Sequence, residues 1–368
     1  MVPVMTDAKL KAWWSHRQGL DGSLAGLNPP KVLEKVGWAR SVGGAAPYLT
    51  LFSRAGLRRA EVDAALAAAE IQELPSARGC TYVLPAMDYS LGLAVGRQFA
   101  EAEAKVARKL GVTDDEIARL SEAIRVALRG GPMAPDAIRA AVGDAARSLG
   151  PEGVKKGVTT TIPVALGLMQ SAGDIRRVPV NGRLDQQRYK YALWEPNPLS
   201  GYERRDAESF VELARLFFGW MGCATAAGFQ AFSGLGVKAS QAAMAPLGLE
   251  SVTGDYLALP DDRAAFEAFE VPKVPQYALV SNLDAILAEL PVHSIVDRGQ
   301  AVGKWLFDPA SGEIVWTASV KVTGALREAV AVTEAYIRED LEDFRSFSLD
   351  SPKSRAPRIQ ALRAEASA

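Results

Sequence analysis

The sequence predicts a mainly helical α+β fold, with helical segments followed by short strand pairs and a strand-rich region near the C-terminus. Three observations carry this prediction. Caps and turn signals over residues 113–194 lay out helix, helix, helix, hairpin. The same order can be read from 206 to 260 and, in compressed form, from 45 to 84. Residues 276–319 leave helical spacing and alternate apolar with polar side chains, with turns at Asp297-Arg298-Gly299 and Ser311-Gly312. That is the composition of a meander or small barrel.

Taken in order, DAKLKAWWSHRQGL reads as a helix with Asp7 as its N-cap, and Pro29-Pro30 opens a second that stops near Gly37. A Gly-rich loop, SVGGAAPY, leads to an apolar segment ending at Arg54, then to the helix RRAEVDAALAAAE. IQELPSARGCTYVLP reads as two short strands broken at Pro75, and a long alanine-rich helix covers roughly residues 86–110. Thr113 with Glu116 is a capping-box signature, Gly130-Gly131 ends that helix, and Ala134-Pro135 starts the next. TTTIPVALGLMQSAG is the third helix of the unit, and Asn181-Gly182 is a hairpin signal between two strand-like runs. Residues 206–220 are an amphipathic helix. Two shorter helices follow, then a small hairpin at SVTGDYLALP. The helix ALREAVAVTEAYIREDLEDFRSF closes the fold. Three helices and a hairpin are the order of a winged helix, so three tandem winged-helix motifs are expected, followed by a small β-barrel and a C-terminal helix. The corresponding boundaries are 1–112, 113–200, 201–272 and 273–350, with a loose tail at 351–368.

At 368 residues the chain has length for two or three compact units, and 48% hydrophobic with 23% charged residues is ordinary globular composition. No apolar run approaches the roughly 20 residues of a membrane span, and no secretory signal precedes the first helix. A net charge of −1 argues against a non-specific nucleic-acid coat protein but leaves room for a locally basic groove. Cys80 and Cys223 lie far apart and match no metal spacing, which suits a reducing, cytoplasmic location. His16 and His293 have no partner at ligand spacing, so neither metal nor organic cofactor is expected. No Walker loop or G-x-S-x-G elbow is present; GLGVK at 234–238 lacks the following Ser/Thr.

The basic hairpin is the feature that points to a partner. Arg176, Arg177, Arg183, Arg188 and Lys190 are spread over its strands, and Gln186 and Gln187 in the second strand could reach a base edge. Just upstream, Lys155 and Lys156 precede Thr159, Thr160 and a helix N-terminus, whose free N–H groups suit a phosphate. Double-stranded DNA is the expected partner; a solvated basic hairpin is the alternative. Trp13, Trp14 and Trp38 can be read as stacking surfaces or as core.

Four blocks then carry a resemblance: HRQGL, VLEKVGWARSVGGAAPYLTLFSRAG, ARGCTYVLPAMD and HSIVDRGQAVGKWLFDP. In kind and spacing they resemble the AlkZ/YcaQ-like winged-helix DNA glycosylases, over almost the whole chain. The resemblance implies a C-shaped array of three winged helices with a small barrel. It also implies excision of alkylated bases, or unhooking of interstrand crosslinks, by N-glycosidic hydrolysis. N7-alkylguanine is cationic and leaves easily, so such an enzyme mainly places a water and favours the developing oxocarbenium charge. In the family a Gln-x-Gln or Gln-x-Asp motif does this. Here an ungapped match puts Arg40-Ser41-Val42 in its place, and no glutamine lies between Gln18 and Gln72. The block that reads Arg-Gly-Thr-x-His in the family is Arg78-Gly79-Cys80-Thr81-Tyr82.

Arg40, Ser41, Arg78 and Tyr82 are therefore the candidate catalytic residues. Three expectations stand together: a divergent, monomeric DNA glycosylase; a non-catalytic DNA binder that recognises distorted duplex or regulates transcription; and a scaffold for protein contacts.

Overall fold

The computed structural model describes residues 8–186, 188–284, 292–342, 344–347 and 349–366. The chain opens with α1 (Ala8–Arg17), which buries Trp13 and Trp14; the Asp7 cap lies outside the described residues. In α2 (Pro29–Val36) the Asn28 side chain accepts from Lys31 N at 3.1 Å, and the prolines occupy the first turn, where no N–H partner is required. The chain continues as β1 (Ala39–Arg40), α3 (Ala46–Ala55), α4 (Arg59–Ala67), β2 (Ile71–Pro75) and β3 (Thr81–Pro85). These strands form an antiparallel sheet with β3 in the middle. Then α5 (Tyr89–Lys109) crosses β2 so closely that a Cβ on Gly96 would sit 2.6 Å from the Pro75 carbonyl oxygen.

The second unit holds α6 (Asp114–Leu128), α7 (Pro135–Val142), α8 (Gly150–Lys155), α9 (Thr161–Ser171), β4 (Ile175–Pro179) and β5 (Tyr189–Leu193). Thr113 Oγ1 caps α6 by accepting from Glu116 N at 3.2 Å. The helix started by Ala134-Pro135 stops at Val142, where Gly143 takes a φ of 49°. Leu120, Ile124, Ile138, Leu166, Met169, Ile175 and Tyr191 form the unit's core. The two strands are not joined by a two-residue turn at Asn181-Gly182. Residues 180–188 connect them and include a single helical turn, Leu184–Gln186. The cause is burial: Leu184 joins the core of the first unit, and its N–H donates to Tyr48 Oη at 3.0 Å. Gln186 consequently lies in this turn and not in a strand; Gln187 is outside the described residues.

The third unit is α10 (Asp206–Met221), β6 (Ala224–Thr225), α11 (Ala226–Ser233), α12 (Val237–Met244), β7 (Glu250–Thr253) and β8 (Tyr256–Ala258), followed by α13 (Pro260–Ala268). Its small sheet runs β6-β8-β7.

The C-terminal strands are β9 (Tyr277–Val280), β10 (Ser294–Asp297), β11 (Gln300–Asp308) and β12 (Glu313–Ala318). They make an antiparallel meander in the order β12-β11-β10-β9. Among the described residues this sheet is open and not the closed barrel expected. α14 (Gly324–Tyr336) and α15 (Pro352–Ala366) pack on it instead, so helices cover the apolar face that closure would bury. The tail is accordingly helical rather than loose. Arg355, Ile359 and Leu362 recur at helical spacing and are buried, and Asp350 takes Arg355 at 3.3 Å and Arg358 at 2.5 Å.

This region shares one core with the first unit: Trp305, Phe307, Leu326 and Tyr336 pack with Leu33, Tyr48 and Leu49. A buried polar network ties the same parts together. Arg54 Nη1 and Nη2 donate to Asp284 at 2.8 and 3.1 Å, and Nη2 also reaches Gln18 Oε1 at 3.0 Å. The loop after β1 is clamped too, since a Cβ on Gly44 would meet the Ser346 backbone at 2.5 Å.

Candidate functional site

The register of the first sheet separates the four candidate catalytic residues. Arg40 lies opposite Tyr82, and Tyr82 opposite Leu74, so these three share one face of the sheet. Val83, with Ala39 and Glu73 across from it, belongs to the other face. Ser41, one residue beyond Arg40, follows that second face.

On the first face Tyr82 is 1% exposed and packs edge-on against Trp38 (6.2 Å) and Phe232 (5.9 Å). Burial pushes its phenol up to about 12. Arg78 sits beside it in the left-handed region, φ 57°, and its Nη1 donates to Ala231 O at 3.4 Å. Arg40 is half-buried, with its Nε sealed from solvent and without a hydrogen-bond partner.

On the second face Ser41 N donates to Thr81 O at 2.9 Å, and Ser41 Oγ makes a short hydrogen bond to Glu73 Oε1. The other Glu73 oxygen takes no hydrogen bond among the described residues. Burial raises the Glu73 pKa above the usual carboxylate range, opposed by the Ser41 hydrogen bond and by the charge of Arg177. Arg177 comes from β4, which lies beside β2. Its guanidinium covers the Tyr189 ring at 4.4 Å, and its Nε is buried without a partner. Glu73 was not singled out from the sequence. The available signal was a carboxylate two residues from Ile71, on the same face of a short strand.

The basic hairpin residues do not act as one surface. Arg183 is held inside by Asp185 (2.9 and 2.5 Å) and by Leu341 O (3.0 Å), and Gln186 Oε1 accepts from Asn181 at 2.9 Å. Arg176 is half-buried, whereas Arg188 and Lys190 are exposed and make no ion pair among the described residues. Lys156 and Thr159 are exposed, and exposed Lys155 pairs with Glu152 at 2.6 Å. Thr160 precedes α9 and is half-buried. The first N–H of that helix, Thr161 N, is already bonded to Arg147 O at 3.1 Å.

Trp13, Trp14 and Trp38 are all core residues. His16 pairs with Asp21 at 2.6 Å. His293 is buried, accepts from Asn282 N and contacts Ser346 Oγ at 2.8 Å, and burial lowers its pKa to about 4. A cleft of about 620 Å³ opens where α1, α2 and α10 meet, lined by Arg17, Lys35, Arg215 and Trp220, and contains none of the expected site residues. Among the described residues no three His, Cys, Asp or Glu side chains gather as a metal site, and no helix is long and apolar enough to cross a membrane.

The structure is similar to that of the Streptomyces sahachiroi DNA glycosylase AlkZ, with a TM-score of 0.68 at 16% identity, covering 90% of this chain and 97% of that one. This likeness concerns the fold. No curated protein matches the chain in sequence. The family described as DNA glycosylase AlkZ-like matches residues 39–298, which include the first sheet, the basic hairpin and the third unit. The chain belongs to the AlkZ-like DNA glycosylase family.

Proposed function

We propose that the protein binds duplex DNA inside the cell, acts as a monomer, and hydrolyses the N-glycosidic bond of an alkylated or crosslinked base. The observation that carries this reading is the family match over residues 39–298, because it spans the sheet bearing Arg40, Ser41, Arg78 and Tyr82 and the hairpin beside it. In this reading the three helix-and-hairpin units are winged-helix motifs. Exposed Arg188, Lys190, Lys155, Lys156 and Thr159 contact phosphates, with Thr160 and Arg176 at their edge. Arg183, Arg177 and Gln186 support the hairpin from within. The lesion is turned out of the duplex toward the first sheet. A cationic N7-alkylated base needs little general-acid help, since it departs neutral when the C1′–N bond electrons return to it.

One observation favours a second reading. Arg40 and Val42 stand where the resemblance places two glutamines; valine cannot orient water and arginine would place a cation near a cationic base or sugar, which suits a binder of distorted duplex or a transcriptional regulator.

The test is release of N7-methylguanine from a duplex, read as strand cleavage at abasic sites, with the native protein and with Arg40→Ala. Excision above the spontaneous rate, reduced in the variant, supports the glycosylase reading. A duplex shifted on a native gel without base release supports the binder.

A further inference from the structure

We propose that Glu73, held by Ser41, is the catalytic group that activates the attacking water and faces the developing cation of the sugar. This rests on the glycosylase reading for the identity of the reaction. It concerns a strand, β2, that the Arg40-Ser41-Val42 comparison does not touch.

Water must be aligned with C1′, its proton must be accepted, and negative charge must lie near the oxocarbenium-like sugar. Arginine and valine at positions 40 and 42 supply none of these. The middle residue of that triplet, Ser41, is hydrogen-bonded to a carboxylate. Its hold on Glu73 Oε1 fixes the orientation of the group, and Oε2 takes no hydrogen bond among the described residues. One oxygen anchored and one free is the arrangement a water-activating carboxylate requires.

The surroundings fit the same role. Glu73 faces Ser41 from the end of β1 and Arg177 from β4, and Arg177 lies against Tyr189 and Tyr191 of β5. The charge of Arg177 favours the ionised carboxylate against the cost of burial. The step balances. Water oxygen bonds to C1′ as the C1′–N bond breaks, the bond electrons neutralise the cationic base, and the water proton passes to Glu73 and then to solvent.

The experiment uses two duplexes, one with a cationic pyrrolidine abasic analogue and one with neutral tetrahydrofuran at the same position. Native protein is expected to bind the cationic duplex at least about tenfold tighter, and Glu73→Gln to abolish that preference while still binding the neutral duplex. Circular dichroism and thermal unfolding confirm that the variant folds. If native protein shows no preference, or Glu73→Gln keeps it, the assignment is overturned.

N7-methylguanine release is read in parallel. There Glu73→Gln should lower the rate about 10²–10⁴-fold. Ser41→Ala should lower the rate and move its acid limb to higher pH, because the missing hydrogen bond oriented the carboxylate and favoured its ionised form. A charge preference dependent on Glu73 without release of this base supports Glu73 and refutes alkylguanine as substrate. Release that survives Glu73→Gln keeps the function and overturns the residue.

Discussion

Replacing Arg54 by methionine should cost more stability than any surface change in this protein. Arg54 and Asp284 are 2% and 3% exposed, so neither charge has water to fall back on. Two guanidinium–carboxylate bonds, at 2.8 and 3.1 Å, and a third to Gln18 at 3.0 Å make the pair. Gln18 in turn donates to Val36 O and Trp220 O, so the network joins α1, α2, α3 and α10. Arg54→Met keeps much of the apolar volume but leaves the Asp284 carboxylate buried without its guanidinium. Breaking such a pair costs about 3–5 kcal/mol. Asp284→Leu added to Arg54→Met removes the stranded charge, and the double variant should recover at least about 2 kcal/mol of that loss. Urea unfolding at pH 7, followed by tryptophan fluorescence and by circular dichroism, measures both. A loss below about 1 kcal/mol for Arg54→Met, or a double variant no more stable than the single, would refute the argument that burial makes this pair costly to break.

Two further outcomes follow from the geometry. Alanine at Arg188 and Lys190 together should weaken duplex binding and reduce the slope of log affinity against log salt by about one for each phosphate no longer neutralised. Arg183→Ala should leave the slope unchanged and lower stability instead, since Arg183 is bound to Asp185 and Leu341 O; fluorescence titration from about 50 to 200 mM salt checks both. His293 is buried neutral, with a folded pKa of about 4 against 6.5 unfolded. The unfolded chain therefore binds the extra proton between these values, and stability falls as pH drops from 6.5 toward 4, by on the order of 3 kcal/mol from this group. His293→Gln should flatten that part of the stability–pH curve, and an unchanged curve would contradict the buried neutral assignment.

Elements with local signals were legible in the sequence. Asn28 with Pro29-Pro30, Thr113 with Glu116, and Gly37 act within one turn of chain, and the structure places α2 and α6 where they direct. The misreadings share a different cause. Asn181-Gly182 has the chemistry of a tight turn, but burying Leu184 against Tyr48 lengthens the connection. The tail reads as loose because Ser, Pro, Arg and Ala dominate it, yet Arg355, Ile359 and Leu362 find a surface on the C-terminal sheet. That sheet stays open for the same reason, since α14 and α15 supply the cover that alternation alone assigned to closure. In each case a distant partner decides, and sequence spacing does not name it.

The site follows the same division. Arg40 and Ser41 were found in one linear block and Arg78 and Tyr82 in another, but the pleat sends Ser41 to the opposite face from Arg40 and Tyr82. A linear motif without its two glutamines is matched, in the folded sheet, by a carboxylate from another strand at the same loop. The buried carboxylates Asp284 and Asp350 have both oxygens engaged, the first by Arg54 and the second by Arg355 and Arg358. Glu73 has one oxygen held and one without a hydrogen bond among the described residues, beside a cation whose charge opposes the effect of burial. That asymmetry distinguishes a group poised for chemistry from one that only fills the core, and the charge preference of Glu73→Gln measures it directly.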